Sequence, residues 1–221
     1  MSRGATARLF VALDPPEEVC EELAAWARRV AATSGVAQRT RGPGRPMRVL
    51  EARSLHLTLC FLGSRPVSEI DALSGALDSC AEPVGQLSVG APLWLPPNRP
   101  RTLAVEIGDR DGRLARLQRS VARALAGASG WEPERRRFRA HVTVARVRDA
   151  VPVAHTPLPA TPRLSFAPET LVLYRSLLVP TGAEYEAIAA RDLAGLELPG
   201  RPPQAGSGPQ SWSSASPSEA G

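Results

Sequence analysis

Two of the three histidines in this chain stand in one local pattern, His56-Leu57-Thr58-Leu59 and His141-Val142-Thr143-Val144. Each unit is His, apolar, Thr, apolar. In an extended strand, side chains alternate faces with a period of two. His56 and Thr58 therefore share one face, while Leu57 and Leu59 share the other. His141 and Thr143 repeat this, with Val142 and Val144 behind them. Each unit offers an imidazole and a hydroxyl together, anchored by apolar groups at the back. If two such strands face each other, two imidazoles flank one spot. Imidazole has the unperturbed pKa nearest neutrality, about 6.5, so one neutral and one protonated ring form an acid/base pair. Each positioned acid or base is typically worth roughly 10²–10⁴-fold in rate. Thr hydroxyls beside them can donate to phosphoryl oxygens. A nearby Arg can neutralise charge that develops on those oxygens.

A single H-x-T carries almost no information, but two of them in a chain with three histidines do. The bland alternative is a pair of strand histidines merely hydrogen-bonded in place. Arg146 lies five positions beyond His141, so strict alternation sets it on the opposite face. It joins the site only if the strand bulges or ends before it. His155, in a Pro-rich stretch, reads as a surface residue. No Asp/Glu/His cluster has metal-ligand spacing, and there is no G-x-S-x-G, P-loop or G-x-G-x-x-G. The expectation is acid/base chemistry with no metal and no cofactor.

The surrounding elements must hold these two strands. Arg8 to Leu13 reads as a largely apolar first strand. Asp14-Pro15 is a helix start, an N-cap side chain before Pro at the first helical position. Val19, Leu23, Trp26 and Val30 then form an apolar stripe. Arg39 to Arg48 reads as a loop, and Met47 to Leu50 as a short strand. The first His-Thr strand runs from about Leu55 to Leu62, closed by Gly63, with a helix from Pro66 to about Ala81. Leu87–Leu95 and Thr102–Ile107 are strand candidates around a Pro-rich turn. Asp109 or Asp111 caps a helix to about Leu125, striped by Leu114, Leu117, Val121 and Leu125. Glu169 to Leu178 reads as a strand, while Ala183 to Leu193 is open between strand and helix. Each His-Thr strand has similar helices and strands near it, which looks like a weak internal duplication. The mixture without strict βαβ alternation predicts an α+β fold with mostly antiparallel sheet.

Length and composition set the frame. With 221 residues and 43% hydrophobic content, the chain can bury one real core. Residues 1–197 are expected to form a single domain. Residues 198–221 are Gly, Pro, Ser and Gln with little to bury, and read as a disordered tail. A net charge of +5 and a pI near 10.0 point to an anionic partner, nucleic acid or phosphate first. All 27 basic residues are Arg, which codon bias explains better than selection for phosphate binding. Cys20, Cys60 and Cys80 lack C-x-x-C spacing, which argues for a reducing compartment and a cytoplasmic location. Cys60 reads as a small core residue. No apolar run approaches a membrane span. A monomer without membrane contact is expected.

The chain also resembles a known family. The carrying segments are Arg8 to Leu13, His56 to Gly63, Phe138 to Arg146, and Leu173-Tyr174-Arg175-Ser176. Together, over about residues 7 to 195, they are similar to the 2H phosphoesterases. The nearest branch is the RNA 2′,3′-cyclic phosphodiesterases, also described as 2′-5′ RNA ligase-like. The resemblance implies two pseudo-symmetric lobes whose antiparallel sheets line a central cleft, with helices outside. It implies metal-independent hydrolysis of RNA 2′,3′-cyclic ends, or small nucleotide cyclic phosphates, to 2′-phosphomonoesters. By motif, His56 would be the proton donor and His141 the proton acceptor. Thr58 and Thr143 would hold the phosphate, with Arg146 helping. Three features depart from the family. Ala140 stands where Pro is usual, Cys60 where a basic or polar residue is common, and Arg39–Arg48 looks like an insertion. The alternatives are another cyclic substrate, 2′-5′ ligation, or an RNA-end-binding protein without turnover.

Overall fold

A computed structural model describes residues 5–33, 47–147, 158–179 and 182–193. The 198–221 tail, His155 and the 39–46 part of the Arg-rich loop lie outside these residues. The first strand, β1 (Thr6–Asp14), sends Leu9, Val11 and Leu13 into the core with no exposure at all. Helix α1 (Glu17–Thr33) follows, with Glu17 and Glu18 in its first turn, where negative charge suits the unpaired N–H groups. The sequence puts the helix start at Asp14-Pro15, but the first turn is anchored two residues on. Val19 and Cys20 N–H donate to the Pro16 carbonyl at 3.0 and 3.1 Å. Asp14 instead ends β1, and its carboxylate accepts the Tyr174 hydroxyl at 2.7 Å.

The remaining elements are β2 (Met47–Val49), β3 (Leu57–Pro66), α2 (Ile70–Ala76), β4 (Leu87–Leu95), β5 (Thr102–Gly108), α3 (Arg113–Ser129), β6 (His141–Val147), β7 (Ser165–Phe166), β8 (Thr170–Val179) and β9 (Gly182–Asp192). The helix expected from Pro66 to Ala81 is shorter, because β3 runs on to Pro66 and a 3₁₀ turn at Val67–Glu69 precedes α2. The 183–193 stretch resolves as strand β9, paired along its length with β8. In α3 the N-cap residue is Gly112 and neither Asp109 nor Asp111, but the Asp109 carboxylate, three residues before it, accepts the Ala115 N–H of the first turn at 2.9 Å. The helix ends at Gly130, whose φ of 61° is the left-handed C-cap conformation that glycine adopts without a Cβ clash.

The strands form one antiparallel sheet in the order β7-β4-β5-β6-β3-β1-β8-β9, with β2 beside β6. The order is symmetric about its centre. In one half, β1-α1-β3 is flanked by β8. In the other, β5-α3-β6 is flanked by β4. This is the expected α+β architecture in two like halves, with their sheets joined edge to edge. α1 packs against β2 and β6, and α3 against β3. One core cluster runs between helices and sheet and includes Leu57, Leu59, Val142 and Val144. The other sheet face at the centre carries a mixture of polar and aromatic side chains. Among the described residues, no helix is long and apolar enough to cross a membrane.

Candidate active site

β3 and β6 pair at one position, Leu57 opposite Val142. Each residue directly follows a histidine, and both are buried, at 1% and 0% exposure. Continuing this antiparallel register sets Thr58 opposite His141 and Thr143 opposite His56. All four share the face opposite the core. The two units thus lie crosswise, each histidine level with the other strand's threonine. Residues directly opposite in such a pair have Cα atoms about 4.5–5.5 Å apart, and diagonal neighbours sit roughly 7–8 Å apart.

Both strands break alternation at the same place. Between Val11/Ala12 and their partners Cys60/Thr58, β3 carries one extra residue, Leu59. Between Leu103/Ala104 and their partners Ala145/Thr143, β6 carries one extra residue, Val144. A bulge of this kind inverts the facing of everything beyond it. Leu59-Cys60 and Val144-Ala145 therefore point consecutively into the core. Arg146 swings back to the face of His141 and Thr143, and Phe61 to the face of His56 and Thr58. The strict-alternation expectation for Arg146 is overturned by this bulge. A second bulge at Leu62 sits beside Gly63, whose φ of 72° shows that it bends β3 and does not close it.

The imidazoles are held alike. His56 Nδ1 lies 3.0 Å from the Ser54 carbonyl oxygen, and His141 Nδ1 lies 2.7 Å from that of Arg139. A carbonyl can only accept, so Nδ1 carries the hydrogen in both rings and Nε2 is left for chemistry. His56 packs in an aromatic group. Phe10 lies 4.8 Å from it, Tyr185 stands edge-on at 4.9 Å, and Tyr174 is 6.2 Å away. Burial there pushes its pKa from 6.5 down to about 4. The Ser54 carbonyl opposes this shift, while the positive charges of Arg146 and His141 add to it. His56 is therefore a neutral ring at pH 7 in the free protein.

A cavity of about 630 Å³ opens on this face. His56, Thr58, Thr143 and Arg146 line it. His141 is half-buried at the start of β6 and is not among the lining residues, although its charge reaches His56. Sequence reasoning missed several contributors. Arg8 and Phe10 reach the cavity from β1, Arg48 from β2 opposite Arg146, Phe61 from β3, and Tyr185 from β9. Arg8 and Phe10 could have been found from their alternation with Leu9 and Val11. Phe61 was signalled by the apolar doublet Leu59-Cys60. Tyr185 carried no local signal, because its stretch was ambiguous. Among the described residues, no three His, Cys, Asp or Glu side chains gather as metal ligands.

Comparison with known proteins bears on this site. Residues 15–179, which include both His-Thr strands, match the profile of the 2′-5′ RNA ligase superfamily. An RNA 2′,3′-cyclic phosphodiesterase of Escherichia coli (strain K12) is 30% identical over 171 residues, covering 76% of this chain and 86% of that protein. One from Aeropyrum pernix is 34% identical over 110 residues, covering 48% of this chain and 61% of its own length. Among solved structures, E. coli LigT complexed with 3′-AMP superposes with a TM-score of 0.66 at 25% identity, covering 86% of this chain and 99% of that one. TT0787 of Thermus thermophilus gives 0.64 at 26% identity, covering 84% and 97%. With the paired His-Thr strands at its centre and a profile match across both halves of the sheet, the chain belongs to the 2′-5′ RNA ligase superfamily.

Proposed function

We propose that this protein hydrolyses 2′,3′-cyclic phosphodiesters at RNA ends to 2′-phosphomonoesters by two-histidine acid/base catalysis. The observation that carries the reading is the crosswise quartet, with each Nδ1–H tied to a backbone carbonyl so that both Nε2 atoms are free. His141 Nε2 accepts a proton from water as the water oxygen attacks phosphorus. The bond from phosphorus to the 3′ oxygen breaks, and protonated His56 gives its Nε2 proton to that oxygen. Water is added across one P–O bond, and the two imidazoles finish in exchanged protonation states. The Thr58 and Thr143 hydroxyls donate to the phosphoryl oxygens, and Arg146 offsets the charge that gathers on them. None of these steps requires a metal ion.

The donor role of His56 sets a condition. Its pKa of about 4 in the free protein must rise when substrate binds. The negative charge of the cyclic phosphate does this, since it stabilises the imidazolium that burial and the Arg146 charge otherwise disfavour. The protein acts as a cytoplasmic monomer, and its partners are RNA ends or small nucleotide cyclic phosphates.

The test is incubation with a short RNA bearing a 2′,3′-cyclic end, in EDTA, with the product identified. The expected product is the 2′-phosphate. His56→Ala and His141→Ala are each expected to lose at least about 10²–10⁴-fold in rate. Full turnover by both variants while folded would sink the assignment. Binding without product by the wild type would favour an RNA-end binder.

A further inference from the structure

The two halves of the cleft are built alike but differ in one place. Five positions beyond the histidine stands Arg146 in β6 and Phe61 in β3. Both strands bulge at the same point, so both side chains face the cavity. β3 thus brings a ring where β6 brings a cation. A cation is supplied to that half by the neighbouring strand. Arg8 of β1 also lines the cavity, and its guanidinium carbon lies over the Phe61 ring, 4.9 Å from the centroid. Among the described residues, no carboxylate forms an ion pair with Arg8. A ring face holds a guanidinium only weakly at an exposed site, so an anion can engage Arg8 without breaking a salt bridge.

Arg8 and Arg146 stand on strands that flank β3 and whose axes are about 10 Å apart across the sheet, and they lie on opposite sides of the Leu57–Val142 pair along the strands. A 2′,3′-cyclic phosphate carries one negative charge. The His-Thr quartet and Arg146 already surround it, and Arg48 lies opposite Arg146 on that same side. Arg8 belongs to the other half and has no share in that charge. On a terminal nucleotide with a 2′,3′-cyclic phosphate, the only other phosphate is on the 5′ oxygen.

We propose that Arg8, steadied by the Phe61 ring, binds the 5′ phosphate of the terminal nucleotide and so selects substrates that carry one. This rests on the reading of the cleft as a cyclic phosphodiesterase. It makes Arg8 a specificity residue, and it separates phosphate-bearing ends from bare nucleoside 2′,3′-cyclic phosphates.

The measurement is a ratio of kcat/KM values. One substrate is a nucleoside 2′,3′-cyclic phosphate with a 5′ phosphate, the other the same nucleoside without it. Wild type is expected to favour the first about tenfold, the size of one charge-assisted contact. Arg8→Gln brings the ratio near one. Arg8→Lys keeps part of it as a point charge. Phe61→Leu, which removes the ring face, falls between wild type and Arg8→Gln. A wild-type ratio near one overturns the proposal. So does an Arg8→Gln variant that keeps the wild-type ratio while losing rate on both substrates. If wild type opens neither substrate, the phosphodiesterase reading fails instead. Calorimetric binding of nucleoside 3′-phosphates with and without a 5′ phosphate, to wild type and Arg8→Gln, then decides the role of Arg8 by the same ratio.

Discussion

At the residue scale, His56 is the group whose environment most departs from water. Phe10, Tyr174 and Tyr185 surround its ring, and Tyr174 is itself held by the Asp14 carboxylate. A carbon-rich surround disfavours the imidazolium, which is why its pKa falls from 6.5 to about 4. Two outcomes follow, and NMR titration of the His56 ring reads the first. Its midpoint is expected near 4 in the free protein and higher with saturating inorganic phosphate, whose charge offsets the burial cost and the Arg146 charge. A midpoint that stays put would remove His56 as the proton donor. The second outcome concerns stability. The unfolded chain takes up a proton near pH 6.5, while the folded ring resists until about pH 4. The unfolded state therefore binds more protons in that window, and stability falls as pH drops through it. His56 contributes fully above about pH 6.5, and at pH 4.5 the loss is on the order of 2 kcal/mol. Urea midpoints at pH 7.5 and 4.5 should separate less for His56→Gln than for wild type.

At the element scale, the bulges decide which side chains meet. From His56 to Leu62 and from His141 to Val147, the alternation of half-buried and buried residues is broken at the same step. Gly63 supports the second bulge of β3 with a φ of 72°, and a Cβ there would touch nothing within 4 Å. Gly63→Ala therefore isolates the backbone cost of the left-handed conformation, about 1–2 kcal/mol. Gly75, in helix α2, also has open space around a would-be Cβ, but in ordinary helical backbone. Gly75→Ala is expected to stabilise by about 0.5–1 kcal/mol. Opposite signs in chemical denaturation would support the distinction, and equal signs would refute it. The His-Thr strands, both long helices and the antiparallel α+β character were legible because their apolar periods are regular. Arg146 was not, because period-two reasoning assumes an unbroken strand. The signal was present in the doublets Leu59-Cys60 and Val144-Ala145, where two apolar residues in succession break the alternation. Strand β9 was not legible either, since its alanines and glutamates suit a helix as well, and only pairing with β8 decides. The start of α1 was misplaced because Asp14 finds its partner in Tyr174, distant in sequence.

At the scale of the whole molecule, the site depends on two halves that touch centrally at one strand pair. Leu57 and Val142 fix how β3 and β6 lie, and so fix the spacing of the histidines that precede them. If each half had its own core, the site would open whenever that single contact failed. The packing argues otherwise. α1, which follows β1 in the first half, packs on β6 of the second, and α3 packs on β3 of the first. Gln118 of α3 reaches the Leu59 carbonyl at 3.5 Å, and Arg65 of β3 donates to the Ser129 carbonyl at the end of α3 at 2.7 Å. Each helix thus covers the other half's His-Thr strand, and the buried residues form one cluster. Such crossed packing should make unfolding a single transition. Tryptophan fluorescence can read the halves separately, from Trp26 in α1 and from Trp131 just beyond α3. Variants in which Trp94, Trp212 and one of these two are replaced by Phe are expected to give urea midpoints that coincide with each other and with loss of circular dichroism. Val142→Ala, which removes buried volume at the central pair, is expected to destabilise by roughly 1–3 kcal/mol and lower both midpoints together. Two separated transitions, or a Val142→Ala effect confined to one probe, would mean that the halves fold as independent lobes. The catalytic spacing would then rest on the Leu57–Val142 contact alone.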